Sequence, residues 1–240
     1  MRGLMGLCLM VLSCLAAANE ADLKELIKKK LPNFIVHDIN ESNLGNGIYE
    51  VFNAKGQSFF TNGSLDGFMI GSLFGFDKNG EVVNVSEQRK EKSRALKARE
   101  IGNRTNNFEY KALGEEKAEI IVFTDIDCGY CRQFHNEVPS LNAMGITVKY
   151  FAFPRAGVES NSFGKLRNAW CNKNPLRALT DAKSGVQLNN EYCENNLDEQ
   201  YTFGMTAGVT GTPAIMLENG RLLPGSRSAK EINNIIETNL

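Results

Sequence analysis

The chain has 240 residues, which is enough for one large domain or two small ones. Its formal net charge is −1, with 27 basic and 28 acidic side chains, so it lacks the basic excess that favours nucleic acid as a partner. The hydrophobic content of 42% is typical of a globular protein.

The N-terminus has the pattern of a secretory signal peptide, residues 1–18. Arg2 precedes an apolar run over residues 3–15, and three alanines at residues 16–18 offer a cleavage site. The run is too short for a stable membrane span. We therefore expect an exported mature chain. A buried N-terminal helix and a lipoprotein with lipid on Cys14 stay open as alternatives.

The next segment, residues 19–85, is predicted to form a small, mainly β domain after one helix. Helical periodicity covers residues 20–30, and short apolar segments separated by Gly and Asn follow. Asn62-Gly63 and Asn79-Gly80 are hairpin signals. Such a unit has little core of its own, and a second copy would cover its edge strands and apolar faces. We therefore expect a homodimer through this region.

A polar linker is predicted over residues 86–110. Residues 86–101 favour a helix, but few of them are apolar, and a helix that is polar on nearly all sides typically bridges domains through solvent. Gly102-Asn103 predicts the end of this helix. We interpret the run of charges as a solvated face and not as a binding patch.

The remaining segment, residues 111–240, has the element order of a thioredoxin-type fold. The predicted elements are a strand at 119–124, a helix at 128–144 that Pro139 kinks or breaks, a strand at 146–153, a helical insertion at 160–204, a hairpin turning at Asn219-Gly220, and a helix at 228–239. The fold class is therefore α+β, with a thioredoxin-like C-terminal domain that carries a helical insertion.

Cys128-Gly129-Tyr130-Cys131 lies at the junction of the first of these strands and its helix. A C-x-x-C in this setting predicts a redox site, because both sulfurs fall in the first helical turn and the helix N-terminus favours a thiolate. Half of a zinc site and a purely structural disulfide are the alternatives. A zinc site needs two more ligands. A C-x-x-C motif that attaches haem is followed directly by His, and this chain has Arg132 there. We expect neither a metal nor an organic cofactor.

Two further cysteines remain after removal of the signal peptide. Cys171 and Cys193 form the most economical second pair, since the C-x-x-C pair is local. We interpret them as a structural disulfide that stabilises the fold by roughly 3 kcal/mol. A second redox centre is the alternative.

Three strings carry a resemblance to a known family: FTDIDCGYCRQFH, NAMGITVKYFAFPRAG and GVTGTPAIMLENGRLLPG. Together with the small β unit, the polar helix and Trp170-Cys171, they resemble the DsbC/DsbG family of bacterial periplasmic disulfide isomerases. The resemblance covers essentially the whole mature chain. It implies a V-shaped homodimer whose catalytic domains face each other across an apolar cleft.

The resemblance also implies roles for individual residues. Cys128 would be the exposed nucleophile, and Cys131 the resolving thiol. A cis peptide is expected at Thr212-Pro213, against the active-site cysteines; an ordinary trans proline is the alternative. Substrate is expected to contact Gly129, Tyr130, Thr212 and Pro213.

Three residues depart from the enteric members of the family, namely Asp127, Arg132 and Pro139. A carboxylate at Asp127 disfavours the Cys128 thiolate unless it points to solvent, whereas Arg132 favours it.

Two other polar residues in the motif region have competing interpretations. We interpret His135 as a surface or packing residue, with weak tuning of the site as the alternative. For Asp125, the two interpretations are that it caps the motif and that it transfers protons to or from the cysteines.

The predicted function is thiol:disulfide interchange that isomerises, and can reduce, incorrect disulfides in secreted proteins of the periplasm. The predicted partners are these misfolded substrates and a membrane electron donor of the DsbD type. The alternatives are a DsbG-like reductant of oxidised single cysteines, an oxidant, and a chaperone of misfolded periplasmic proteins.

Overall fold

The computed structural model describes residues 20–42, 47–53, 57–104 and 108–239. The predicted signal peptide, with Cys14, lies outside the described residues. Within the described part of the chain, no helix is both long and apolar enough to cross a membrane. The backbone forms two compact units, and the division falls between Gly71 and Ser72.

The first unit is a helix with a four-stranded antiparallel sheet. Its elements are α1 (Glu20–Lys30), β1 (Val36–Glu41), β2 (Ile48–Asn53), β3 (Ser58–Asn62) and β4 (Phe68–Met69). The strands lie in the order β1-β2-β3-β4, which makes β4 an edge strand. Leu23 and Ile27, four residues apart on α1, are fully buried in the core of this unit. The predicted helix and the hairpin at Asn62-Gly63 are confirmed.

The second unit begins with a hairpin that leads directly into a long helix. β5 (Phe74–Phe76) pairs antiparallel with β6 (Val82–Asn84), and Gly80 has φ +81° in the turn, so the hairpin predicted at Asn79-Gly80 is confirmed. The helix that follows is α2 (Val85–Arg104). Its first turn is capped by the Asn84 side chain, which accepts a hydrogen bond from the Glu87 N–H at 2.9 Å.

A five-stranded sheet forms the centre of the second unit. Its strands are β7 (Glu109–Tyr110), β8 (Ala118–Thr124), β9 (Ile146–Ala152), β10 (Ala214–Met216) and β11 (Leu222–Pro224). The order is β11-β10-β8-β9-β7, and only β8 and β9 are parallel neighbours. Both are buried along nearly their whole length, as strands covered on two faces are. The predicted βαβ unit and the hairpin at Asn219-Gly220 are confirmed.

Six helices surround this sheet in the described residues. They are α3 (Gly129–His135), α4 (Val138–Ala143), α5 (Asn161–Trp170), α6 (Pro175–Lys183), α7 (Leu197–Ala207) and α8 (Ala229–Asn239). The predicted break at Pro139 is confirmed, because residues 136–137 separate α3 from α4. Proline lacks an N–H group and fits only the first turn of a helix, which is where Pro139 lies in α4.

The predicted pairing of Cys171 with Cys193 is also confirmed. The disulfide joins the end of α5 to the segment before α7, and the two Cα atoms are 5.5 Å apart. It closes a loop over a sequence separation of 22 residues, which contains α6.

The prediction for the polar helix was wrong in two respects. α2 passes through Gly102-Asn103 and ends at Arg104, whose side chain forms an ion pair with Glu199. One face of α2 also packs tightly within the second unit. A Cβ atom on Gly220 would lie 1.8 Å from the Glu91 carbonyl oxygen, and Arg94 Nε donates to the Gly220 carbonyl at 2.8 Å.

Candidate active site

The C-x-x-C motif lies where the buried strand β8 ends and α3 begins. Cys128 is the N-cap residue of α3 and has extended backbone angles, φ −90° and ψ 118°. Its carbonyl accepts the first helical hydrogen bond, from the Arg132 N–H at 3.1 Å. Cys131 lies in the first turn. Both cysteines are free thiols in this structure.

The expectation that Cys128 is an exposed nucleophile is wrong for this conformation. Only 2% of the residue is exposed, and its Sγ donates to the Thr212 carbonyl oxygen at 3.2 Å. The sulfur must therefore leave this hydrogen bond before it reaches a substrate. Gly129 and Tyr130 are exposed beside it, Tyr130 by 68%.

The Thr212-Pro213 segment forms the opposite wall of the site. Its peptide bond is cis, as predicted. β10 begins at the next residue, where Ala214 pairs with Phe123 of β8. This pairing places the cis-proline segment next to the end of β8, and therefore next to Cys128.

The surroundings of Cys128 favour the thiolate. Burial alone raises the pKa of the thiol, but interactions with Thr212 and Cys131, together with the positive charge of Arg155, lower the pKa below its ordinary value. A larger fraction of Cys128 is therefore thiolate at neutral pH than for a free cysteine.

Cys131 has the opposite property. It is fully buried, and burial raises its pKa above the ordinary value although Lys183, Asp125, Thr212 and Thr124 act in the lowering direction. The motif therefore contains one thiol that ionises readily and one that does not. Among the described residues, no group of three or more His, Cys, Asp or Glu is placed to hold a metal ion.

Asp125 anchors the turn between β8 and Cys128. It is 2% exposed and accepts hydrogen bonds from the Arg155 Nε at 2.9 Å, from the Asp127 N–H at 2.9 Å, and from the Ser162 hydroxyl. Burial raises the pKa of Asp125, but these hydrogen bonds from Ser162, Arg155 and Asp127 bring it below its ordinary value. An ionised, fully bonded carboxylate supports the capping interpretation and not the proton shuttle.

The charges that flank Cys128 are arranged differently from the prediction. Asp127 pairs with Lys165 at 2.6 Å, and its side chain is 43% exposed, so its effect on the thiolate is compensated. Arg132 is exposed on α3, while the cation that lowers the pKa of Cys128 is Arg155. The FPR string contains Arg155, but the sequence offered no sign that Asp125 would hold it at the site.

His135 is a packing residue, as we interpreted it. Its two ring nitrogens lie 2.9 Å from the Tyr150 hydroxyl and 2.9 Å from the Thr180 hydroxyl. Burial, with a smaller contribution from the Lys183 charge, lowers the pKa of His135 to about 4. The ring is therefore neutral in the folded protein at ordinary pH.

This neutral histidine predicts a loss of stability in mild acid. At pH values above the unfolded-state pKa of about 6.5, His135 is neutral in both states and does not change the free energy of unfolding. Between about pH 6.5 and 4, the histidine is protonated in the unfolded chain but not in the folded protein, which favours unfolding. We expect His135 to lower the free energy of unfolding by up to about 3 kcal/mol across this range. Urea unfolding at a series of pH values measures the slope. His135→Gln should have a flatter slope, and an equal slope would contradict the assignment.

Sequence comparison relates both parts of the chain to known families. Residues 109–239 match the model of the thioredoxin-like domain, and residues 14–87 match that of the disulfide bond isomerase protein N-terminal domain. The thiol:disulfide interchange protein DsbC of Dickeya dadantii is 32% identical over 98% of this chain and 93% of its own length. The DsbC protein of Salmonella typhimurium is 44% identical over 53% of this chain, and that match spans about half (54%) of the relative's length.

Structural comparison supports the fold alone. The thiol-disulfide exchange protein alpha-DsbA2 from Wolbachia pipientis superposes with a TM-score of 0.51 at 14% identity. The match covers 66% of this chain and all of that one. The thioredoxin-like assignment of the C-terminal part is therefore confirmed by sequence and by structure.

Proposed function

Because the chain belongs to the DsbC family of thiol:disulfide interchange proteins, we propose that it isomerises incorrect disulfides in secreted proteins, and can also reduce them. The observation that carries the proposal is the contrast within the C-x-x-C pair. The pKa of Cys128 is lowered and that of Cys131 is raised. This difference suits Cys128 as the attacking thiol and Cys131 as the resolving thiol, which reacts only after the mixed disulfide has formed.

The first step is attack by the Cys128 thiolate on a substrate disulfide. A bond forms between Cys128 Sγ and one substrate sulfur, and the other substrate sulfur leaves as a thiolate with the bonding electrons. That thiolate then attacks a different substrate disulfide, and the new thiolate released there attacks the substrate sulfur of the mixed disulfide, so that the bond to Cys128 breaks. The rearranged substrate departs, and Cys128 is again a thiolate, so no net oxidation occurs.

A second route resolves a stalled complex. The Cys131 thiolate attacks Cys128 Sγ, the mixed disulfide breaks, and the substrate leaves with both sulfurs reduced. The enzyme is left with a Cys128–Cys131 disulfide and needs an external electron donor. We propose a membrane donor of the DsbD type, since the family resemblance implies one.

Substrate contacts are assigned to the residues around Cys128. Tyr130 is exposed, and the space around Gly129 is open, since a Cβ atom there would meet nothing within 4 Å. On the opposite wall, the Thr212 backbone and Pro213 would hold an extended substrate chain beside the reacting sulfurs.

We also propose a homodimer through the N-terminal domain, residues 19–85, connected by residues 86–110, whose helix α2 packs within the second unit, to a catalytic domain at 111–240. The edge strand β4 supports it, because Phe68, Met69 and the adjacent Ile70 are exposed by 55%, 59% and 78%. An edge strand with exposed apolar side chains pairs readily with another strand. Two copies would also form an apolar cleft for unfolded chains.

The proposed compartment is the periplasm, with residues 1–18 as the export signal. The proposal rests on the sequence pattern and on the disulfide between Cys171 and Cys193, which is typical of an oxidising compartment. Lipid on Cys14 remains the alternative.

The test is recovery of activity from a ribonuclease with scrambled disulfides, in a glutathione buffer. We expect the reduced protein to speed recovery at least about tenfold over the buffer alone, because the lowered pKa of Cys128 gives it a larger thiolate fraction than an ordinary thiol. No acceleration would contradict the proposal. Suppressed aggregation without recovery would instead identify a chaperone, and activity only in an oxidising buffer would identify an oxidant.

A further inference from the structure

A buried lysine lies next to the redox pair, and the mechanism above does not use it. Lys183 is the last residue of α6 and is only 3% exposed. Its Nζ donates to the Thr124 hydroxyl at 2.7 Å and lies 5.2 Å from the centre of the Tyr150 ring. Lysine is almost never buried to this extent without a partner, because removing an ammonium group from water is costly.

The surroundings of Lys183 place it beside Cys131. Thr124 is the fully buried last residue of β8, and its hydroxyl accepts a hydrogen bond from the Lys183 ammonium. The helix that carries Lys183 contacts the helix that carries Cys131, since the Thr180 hydroxyl of α6 lies 2.9 Å from His135 Nε2 of α3. Lys183 follows Thr180 by three residues and Cys131 precedes His135 by four, so each lies about one helical turn from this contact on the same face of its helix. The positive charge of Lys183 lowers the pKa of Cys131, against the effect of burial.

We propose that Lys183 is a positioning residue for the resolving step, and that its charge, held in place by the Thr124 hydroxyl, stabilises the Cys131 thiolate. Lys183 would then set how fast a mixed disulfide is resolved, and hence how the protein divides its activity between reduction and isomerisation. The inference rests on the proposed thiol chemistry of the Cys128–Cys131 pair.

The step balances without another reactant. The Cys131 thiol gives its proton to solvent, and the sulfur, now a thiolate beside the Lys183 ammonium, attacks Cys128 Sγ. The Cys128–Cys131 bond forms as the bond from Cys128 to the substrate sulfur breaks. The substrate sulfur leaves with the electron pair, so two electrons pass from the enzyme to the substrate disulfide.

Lys183 must be protonated for this role, and the groups around it set the pKa of its amine. The groups facing it are Cys128 at the N-cap of α3, Cys131, Arg132 and His135 on α3, Thr124 and Asp125 from β8 and the following turn, and Tyr150 from β9. Burial lowers the pKa of Lys183 to about 8, while the two sulfurs and Asp125 raise it and Arg132 lowers it. At pH 7 the amine is therefore protonated by about ten to one.

The reaction of the reduced protein with Ellman's reagent shows the two thiols as two kinetic phases. Cys128 releases the first equivalent of thionitrobenzoate as it forms a mixed disulfide, and attack by Cys131 releases the second. In Lys183→Met we expect the second phase to be about tenfold slower at neutral pH, and its midpoint to move up by about one pH unit. The first phase should change less.

Two further variants complete the experiment. Thr124→Val, which removes the hydroxyl but keeps the shape, should also slow the second phase, and the double variant should be little slower than Lys183→Met. Lys173→Met is the control, because it removes an exposed lysine by the same substitution. Methionine in place of a buried charge is expected to leave the fold intact, which urea unfolding checks.

The outcomes distinguish this inference from the proposed function. An unchanged second phase and pH midpoint in Lys183→Met, or in Thr124→Val if the first variant does not fold, would overturn the role of Lys183 and leave the isomerase proposal standing. A wild-type protein that released no second equivalent would overturn the pair chemistry itself.

Discussion

Replacing Cys128 with serine should abolish disulfide reshuffling, with a loss on the order of a hundredfold or more, down to the rate of the buffer. The serine hydroxyl does not ionise near neutral pH and does not form disulfides. Cys131 does not substitute for it, because Cys131 is fully buried and burial raises its pKa. The recovery of scrambled ribonuclease measures the loss.

Cys131→Ser is the matched control for this prediction. It should retain the first attack and much of the isomerisation, while net reduction of substrate disulfides stops. Both variants should unfold at urea concentrations close to that of the reduced wild type, since serine occupies a similar volume. Unchanged reshuffling in Cys128→Ser would contradict the proposed nucleophile.

The second large effect is expected at Asp125, whose replacement by alanine should lower the free energy of unfolding by about 3 kcal/mol. The substitution leaves the buried Ser162 hydroxyl and the Asp127 N–H without their acceptor, and each such group costs about 1 to 3 kcal/mol. It also frees Arg155, whose charge lowers the pKa of Cys128. We therefore expect a raised Cys128 pKa, measured from the pH dependence of alkylation.

Two further variants serve as controls for Asp125→Ala. Asp127→Ala removes a carboxylate that is 43% exposed and pairs with Lys165, so it should cost less than about 1 kcal/mol. Asp125→Asn should fall between the two, because the amide oxygen still accepts a hydrogen bond. Equal stability of Asp125→Ala and Asp127→Ala would show that Asp125 does not anchor the turn.

The sequence predicted features that depend on neighbouring residues. The apolar run before the C-x-x-C motif identified β8, and Pro139 identified the break between α3 and α4, because each reflects a local backbone rule. Thr212-Pro213 required the family resemblance, since the bare sequence leaves the proline isomer open. Once the cis bond was expected, the opposite wall of the site followed.

Contacts between distant segments were beyond prediction. Whether Cys128 is covered depends on Thr212, which is 84 residues away in sequence. Lys183 resembles a surface lysine at the end of an amphipathic helix, yet α6 places it under the redox motif. Arg155 acts on Cys128 only because Asp125, 30 residues earlier, holds its guanidinium.

The central claim is that Cys128 forms the covalent link to substrate, and trapping that link tests it most directly. The Cys131→Ser protein, incubated with scrambled ribonuclease and quenched with acid, should contain one ribonuclease molecule per chain, joined through Cys128 and released by dithiothreitol. Peptide mass spectrometry identifies the cysteine. An adduct on any other residue, or no adduct while reshuffling continues, would contradict the account.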